Sequence, residues 1–224
     1  MNAAASIESF PTPGSNPRAN QLRNELRAFA LLLLLCNVPL LIGRSTDAFA
    51  FLPRAVAARE WWRIVTHPFA HVSWYHLLLD GTSFLFLYQN LASKDRWWRL
   101  GAVVACALGS VGTAWLACPL VAEIGLRGLS GIAHGLLAIT AVEMIASAGT
   151  NDRVYGLLCL TVVVAKSCIE ALTGCAVLAT LHFGMLGTPI AICHAGGVLG
   201  GLFFVAISYP PTSARASAAR AVER

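Results

Sequence analysis

The sequence predicts an all-α, polytopic membrane protein, a bundle of six transmembrane helices, and three observations carry that expectation. Hydrophobic residues make up 57% of the 224-residue chain and charged residues 12%, with a mean hydropathy of +0.66. A soluble domain carries about 25% charged residues, so the solvent for most of this surface is lipid. Six apolar segments recur, at about 28–43, 74–92, 100–121, 128–148, 154–181 and 186–209, and most approach the roughly 20 residues that cross about 30 Å of hydrocarbon. Ser130 and His194 each stand among small residues inside such a segment, where a polar group is costly and by default functional.

Along the chain, residues 1–27 are polar and hold Pro11, Pro13, Gly14 and Pro17, the composition of a disordered or surface-lying tail. The membrane domain then runs over 28–209 and a short polar tail over 210–224. The first apolar segment is only 16 residues long, and Ala48-Phe49-Ala50 beyond it mimics a signal-peptidase site. Arg44 and Asp47 interrupt that approach and the leading tail is long, so the segment is expected to be retained as a span. The longest loop, 44–73, carries Trp61 and Trp62, with Trp74 just beyond it, residues suited to a membrane interface.

Orientation follows from Lys and Arg. With the N-terminus inside, the inner segments hold ten (Arg18, Arg23, Arg27, Lys94, Arg96, Arg99, Arg153, Arg215, Arg220, Arg224) against five outside (Arg44, Arg54, Arg59, Arg63, Arg127). The positive side faces the cytoplasm, so both tails are expected there. The net charge of +5 comes with no basic block interleaved with aromatics, which excludes a nucleic-acid surface. The seven cysteines are scattered without a Cys-x-x-Cys pair, so they read as small apolar fillers and neither a metal nor another cofactor is expected. Cys118 and Cys175 fall near segment ends on one side, which leaves a disulfide open.

Under this topology the second, fourth and sixth spans all enter from the outer face. His76 and Asp80 lie in the opening turns of the second, Ser130 in the first turn of the fourth, and His194 about two turns into the sixth. A buried serine hydroxyl becomes a nucleophile when a hydrogen-bonded base takes its proton, and His194 is a natural base. Gly128 and Gly131 clear the approach to Ser130, whose helix start offers free N–H groups to an oxyanion. Gly197 and Gly201 keep the face of His194's helix smooth, as close helix contacts in membranes require. His134, four residues after Ser130, shares its face and is placed to pack on His194, to touch substrate or to serve in plain structural hydrogen bonding. A packing serine or a histidine bonded across helices is ordinary taken singly; the coincidence in depth is what points to chemistry. Lys166 and Glu170, spaced i, i+4, read as a structural ion pair closed on itself. Glu143 sits at the inner end of its span and His182 in a loop, both away from the dyad.

These residues resemble the rhomboid intramembrane serine proteases over about 61–205. Trp62-Arg63 is similar to the family's Trp-Arg pair in the first outer loop. His71, His76 and Asp80 fall on its histidine, histidine, asparagine pattern; Gly128-Leu129-Ser130-Gly131 on its nucleophile motif; His194, Gly197 and Gly201 on its base motif. The resemblance implies a six-helix rhomboid-like bundle in the bacterial inner membrane that cleaves membrane-anchored proteins near the outer face. It implies Ser130 as nucleophile, His194 as base, and His76 with the Ser130 N–H as oxyanion donors. Asp80 replaces an asparagine, and His134 stands where many members place a tyrosine. The string from Gly128 to Leu136 resembles the rhombosortase branch, which trims glycine-rich C-terminal sorting helices. A non-catalytic relative that escorts membrane clients is the competing expectation; a small transporter would show repeat symmetry or broken helices.

Asp80 allows two arrangements. A protonated carboxyl would donate to the oxyanion as asparagine does, the arrangement the resemblance favours. An ionised one would pair with a protonated His76. For the topology, reporter fusions after residues 95 and 151 are expected to be cytoplasmic and those after 58, 124 and 183 external. An external C-terminus would put His194 at the wrong depth and reject this arrangement.

Overall fold

The computed structural model describes residues 17–93, 95–147, 149–177, 185 and 187–208. The first part of the expected N-terminal tail, the whole 210–224 tail, Lys94 and His182 lie outside the described residues. Among the described residues the α-helices run α1 (Pro17–Leu41), α2 (Pro53–Ala57), α3 (Trp62–Thr66), α4 (Trp74–Asn90), α5 (Arg96–Ala117), α6 (Leu120–Ile124), α7 (Ser130–Ala146), α8 (Thr150–Thr173) and α9 (Ile192–Ser208). One isolated bridge, Phe51 to Leu126, ties the long first loop to the segment before α7.

Helix boundaries follow local chemistry. Ser73 caps α4, its hydroxyl accepting from the His76 N–H at 3.1 Å, and Asp95 caps α5 through the Trp98 N–H at 2.7 Å. Gly174, with φ +68, takes the left-handed position that ends α8 and returns its N–H to the Glu170 carbonyl. Two boundaries depart from the sequence expectation. The polar stretch 17–27 is not a tail but the first turns of α1, because Leu22 and Leu26 pack on the core and Glu25 is buried. Glu25 there accepts from Tyr88 Oη and Arg99 Nη2, both at 2.7 Å. The last helix starts at Ile192, past Pro189, so His194 lies in its first turn rather than two turns in. Cys118 and Cys175 are free thiols, not a disulfide.

Three helices, α1, α5 and α8, are long and apolar enough to cross a membrane, while α7 and α9 are apolar with 17 residues each. Large apolar side chains face outward on them, among them Leu35, Leu157, Leu172, Leu199 and Phe203. The charged pairs point inward, as in a multi-pass membrane protein.

α9 packs on α5 with one face and on α7 with another. A methyl placed on Gly196 or Gly200 would run into the Gly109 or Ala105 carbonyl of α5. One on Gly197 or Gly201 would run into the Gly131 or Gly135 carbonyl of α7. Backbones therefore touch backbones along both seams, the arrangement small residues permit between membrane helices. Gly197→Val is expected to cost about 1–3 kcal/mol or more by overpacking and to lower the melting temperature in detergent. Gly112→Ala, where a methyl meets nothing within 4 Å, is expected to gain up to about 1 kcal/mol. Unchanged melting of Gly197→Val would show that the seam is looser than described.

Candidate active site

The long loop between α1 and α4 forms the platform of the site. Arg63 donates to the Asp47 and Ala50 carbonyls at 2.5 and 2.9 Å and pairs with Glu60 at 2.6 Å. Trp62 Nε1–H donates to the Ala48 carbonyl at 3.2 Å. The Trp62–Arg63 pair thus ties the loop together. His67 is buried, its Nδ1–H shared between the Arg63 and Ile64 carbonyls, and burial pushes its pKa down to about 4. It therefore stays neutral, and its own carbonyl accepts the Gly128 N–H at 3.1 Å. Arg127 reaches Asp47 at 2.5 Å, and the Ser45 hydroxyl together with this guanidinium holds the Asp47 carboxyl below its usual range. The segment leading into the nucleophile is anchored to the loop at both of these points.

Gly128 is required twice over. Its φ of +103 is one that other residues resist, and a Cβ there would sit 2.8 Å from Asp80 Oδ2 and 3.0 Å from His76 Nε2. Ser130 then opens α7, with the unpaired N–H groups of a first turn around it. Gly131 has no room for a side chain beside Ser110 and the Cys193 carbonyl.

Ser130 Oγ and His194 Nε2 lie 3.0 Å apart. His194 Nδ1 faces Glu170 Oε2 at 2.6 Å. A carboxylate only accepts, so Nδ1 carries the proton and Nε2 is left to accept from the serine hydroxyl. His134 stacks flat on His194, centroids 4.1 Å apart and planes 10° off parallel, while it also takes part in hydrogen bonds and lines the cavity. Its Nδ1–H donates to the Ser130 carbonyl at 2.7 Å, and its Nε2 accepts from Lys166 at 2.9 Å. Lys166 also donates to Glu170 Oε1 at 2.7 Å. The expected Lys166–Glu170 pair is therefore present but is not closed on itself, since the other carboxylate oxygen belongs to His194.

His76, Asp80 and His71 gather on the far side of Ser130. Asp80 Oδ2 accepts from the Ser130 N–H at 3.0 Å and from His76 Nε2 at 3.1 Å. His71 is fully buried, its ring edge-on to His76 at 5.0 Å and its Nε2 3.6 Å from the same oxygen. Asn37 of α1 holds it there, accepting from the His71 N–H at 2.8 Å and donating to the Phe69 carbonyl at 2.6 Å. A cavity of about 650 Å³ opens on this constellation, with His76, Asp80, Ser130, His134, Lys166 and His194 in its wall.

Of the residues named from the sequence, His71, His76, Asp80, Gly128, Ser130, Gly131, His134 and His194 lie together in this region, with Trp62 and Arg63 in the loop beside it and Gly197 and Gly201 in the helix seam behind it. Three contributors were missed. Asn37 and His67 act through hydrogen bonds across long sequence separations, which leave no local pattern. Glu170 carried a signal, an acidic residue in an apolar span, but its i, i+4 lysine accounted for it too readily. The donor atoms of His134, Glu170 and His194 fall within 4.8 Å of one another. Lys166 bonds two of the three, so its ammonium is the cation of that cluster.

A family model for the Rhomboid domain matches residues 58–211 of the chain. No curated protein and no solved structure matches it.

Proposed function

The chain belongs to the rhomboid family, and from that premise we propose that it is an intramembrane serine endopeptidase in which Ser130 attacks and His194 acts as base. The observation that carries the proposal is the 3.0 Å approach of Ser130 Oγ to a His194 Nε2 free to accept a proton. As the Oγ–carbonyl carbon bond forms, the hydroxyl proton passes to Nε2; it then leaves with the amine as the peptide C–N bond breaks. Water repeats the sequence on the acyl-enzyme. The developing oxyanion is placed against the Ser130 N–H and His76 Nε2–H, and loss of one such donor costs about 10²–10³ in rate.

Substrates are membrane-anchored proteins, and the site opens toward the outer face of a bacterial inner membrane with both termini cytoplasmic. Six spans fit the six longer helices, since even 17 residues rise about 25 Å. A scissile bond must leave its helix to reach Ser130, and glycine costs about 1 kcal/mol relative to alanine in a helix. The Gly128–Leu136 string resembles the rhombosortase branch, and glycine-rich C-terminal helices are the clients that this resemblance implies. Cleavage of such a client should be blocked when its glycines become leucine; equal processing would remove that branch assignment.

One observation favours the non-catalytic reading, in which the chain binds or escorts clients: Asp80 Oδ2 already engages both oxyanion donors. Two measurements decide. Ser130→Ala and His194→Ala should each lower cleavage by about 10⁵–10⁶-fold, and the double variant no further, because the pair acts as a unit. Labelling of wild type by a fluorophosphonate should vanish in Ser130→Ala, and cleavage by that variant would end the protease assignment.

The second measurement concerns Asp80. An ionised carboxylate beside the oxyanion raises the barrier where water is scarce, whereas a protonated one donates as the family asparagine does. In the structure Asp80 Oδ2 accepts from the Ser130 N–H and from His76 Nε2–H, which favours the counter-charge arrangement. Asp80→Asn is therefore expected to lower activity at pH 7, and activity kept in the variant at pH 7 would instead assign Asp80 the donor role of the family asparagine.

A further inference from the structure

We propose that Glu170 is a positioning residue for His194, so that the site works as a Ser130–His194–Glu170 triad; this rests on the serine-protease reading above. The carboxylate is fully buried and reaches His194 Nδ1 from α8, at 2.6 Å. Every direction around it is committed. Oε1 accepts from Lys166 at 2.7 Å and from the Val177 N–H at 2.8 Å, while Oε2 accepts from His194. The side chain thus cannot turn without breaking bonds to fixed donors.

The consequence for His194 is a choice of tautomer. With a carboxylate at Nδ1, the ring carries its proton there and presents a bare Nε2 to Ser130 Oγ, the only form that can act as base. When Nε2 takes the serine proton the ring becomes a cation. It then lies against neutral His134 on one side, with the Lys166 ammonium bonded to that same ring and Cys193 preceding it in α9. Glu170 is the negative charge in contact with it. It keeps its own protonation throughout: the proton travels from Ser130 to Nε2 to the leaving nitrogen. Lys166 balances Glu170 at rest and, by bonding His134 Nε2, fixes the ring that stacks on the base.

Glutamine at this position tests the idea, because it has one oxygen where the site demands acceptors on both sides. Lys166 and the Val177 N–H are obligate donors and claim that oxygen. The amide NH₂ is then left facing His194, which must turn Nδ1 into an acceptor and move its proton to Nε2. Aspartate is shorter but keeps two acceptor oxygens. A merely structural filler would favour the isosteric glutamine; a positioning carboxylate favours aspartate.

The full chain, purified in detergent, is treated with a fluorophosphonate probe to obtain an inactivation rate constant and an apparent affinity separately. Glu170→Gln is expected to lose about 10³–10⁴-fold in the rate constant with the affinity nearly unchanged, and Glu170→Asp to lose less. Glutamine equal to or better than aspartate overturns the inference. Labelling that survives Ser130→Ala rejects the protease reading itself, whereas its loss in Ser130→Ala with glutamine at least as fast as aspartate rejects only the role of Glu170. Should neither Glu170 variant fold, ¹⁵N-histidine spectra of the wild type decide. Neutral His194 protonated on Nδ1 supports the inference, and protonation on Nε2 overturns it.

Discussion

The distance between Ser130 and His194 is set by two helix backbones in contact. Ser130 begins α7 and His194 lies in the first turn of α9, so side-chain reach alone joins them only if the two helices nearly touch. Gly197 against Gly131 and Gly201 against Gly135 provide that contact, and Gly196 with Gly200 press the opposite face of α9 onto α5. In lipid, where apolar side chains gain nothing by leaving the solvent, close packing of small residues is a main source of helix association. The same glycines that hold these helices together therefore fix the distance between Ser130 and His194.

A second constraint is that buried charges are partnered among the described residues. Glu25 is matched by Arg99 and the Tyr88 hydroxyl at one end of the bundle, and Glu170 by Lys166 and His194 near the other. An unpaired charge at such depth would cost several kcal/mol. Asp80 differs, since its partners are the neutral Ser130 N–H and two histidines. Its Oδ2 holds the two donors that the proposed reaction needs for the oxyanion, which sets this carboxylate apart from Glu25 and Glu170.

Much of this was legible in the sequence because it is local or periodic. Apolar runs marked the longer helices, and matched depth singled out Ser130 and His194. Spacing placed His134 on the Ser130 face and assigned packing roles to Gly197 and Gly201. Helix ends were less legible: the polar residues 17–27 read as a tail because the partners of Glu25 lie on α4 and α5. The depth of His194 was misjudged because apolar residues before Ile192 extend the run without extending the helix. Asn37 and His67 stayed hidden because each acts on a residue distant in the chain, whereas Glu170 was visible but its local pairing with Lys166 masked its bond to His194.

These long-range contacts also explain why the site survives at the end of a helix bundle rather than in its middle. The Rhomboid domain match begins at residue 58, yet α1 supplies Asn37, the side chain that holds His71 beneath His76 and Asp80. From the other side α8 supplies Glu170 and Lys166, which fix the ring of His194 and that of His134. Ser130 stands between, its N–H turned to Asp80 and its hydroxyl to His194. The two hydrogen bonds run to different helices, Asp80 on α4 and His194 on α9, and both of these pack on α7. Ser130, at the start of α7, is thus held from two sides by helices that share its own helix as their common support.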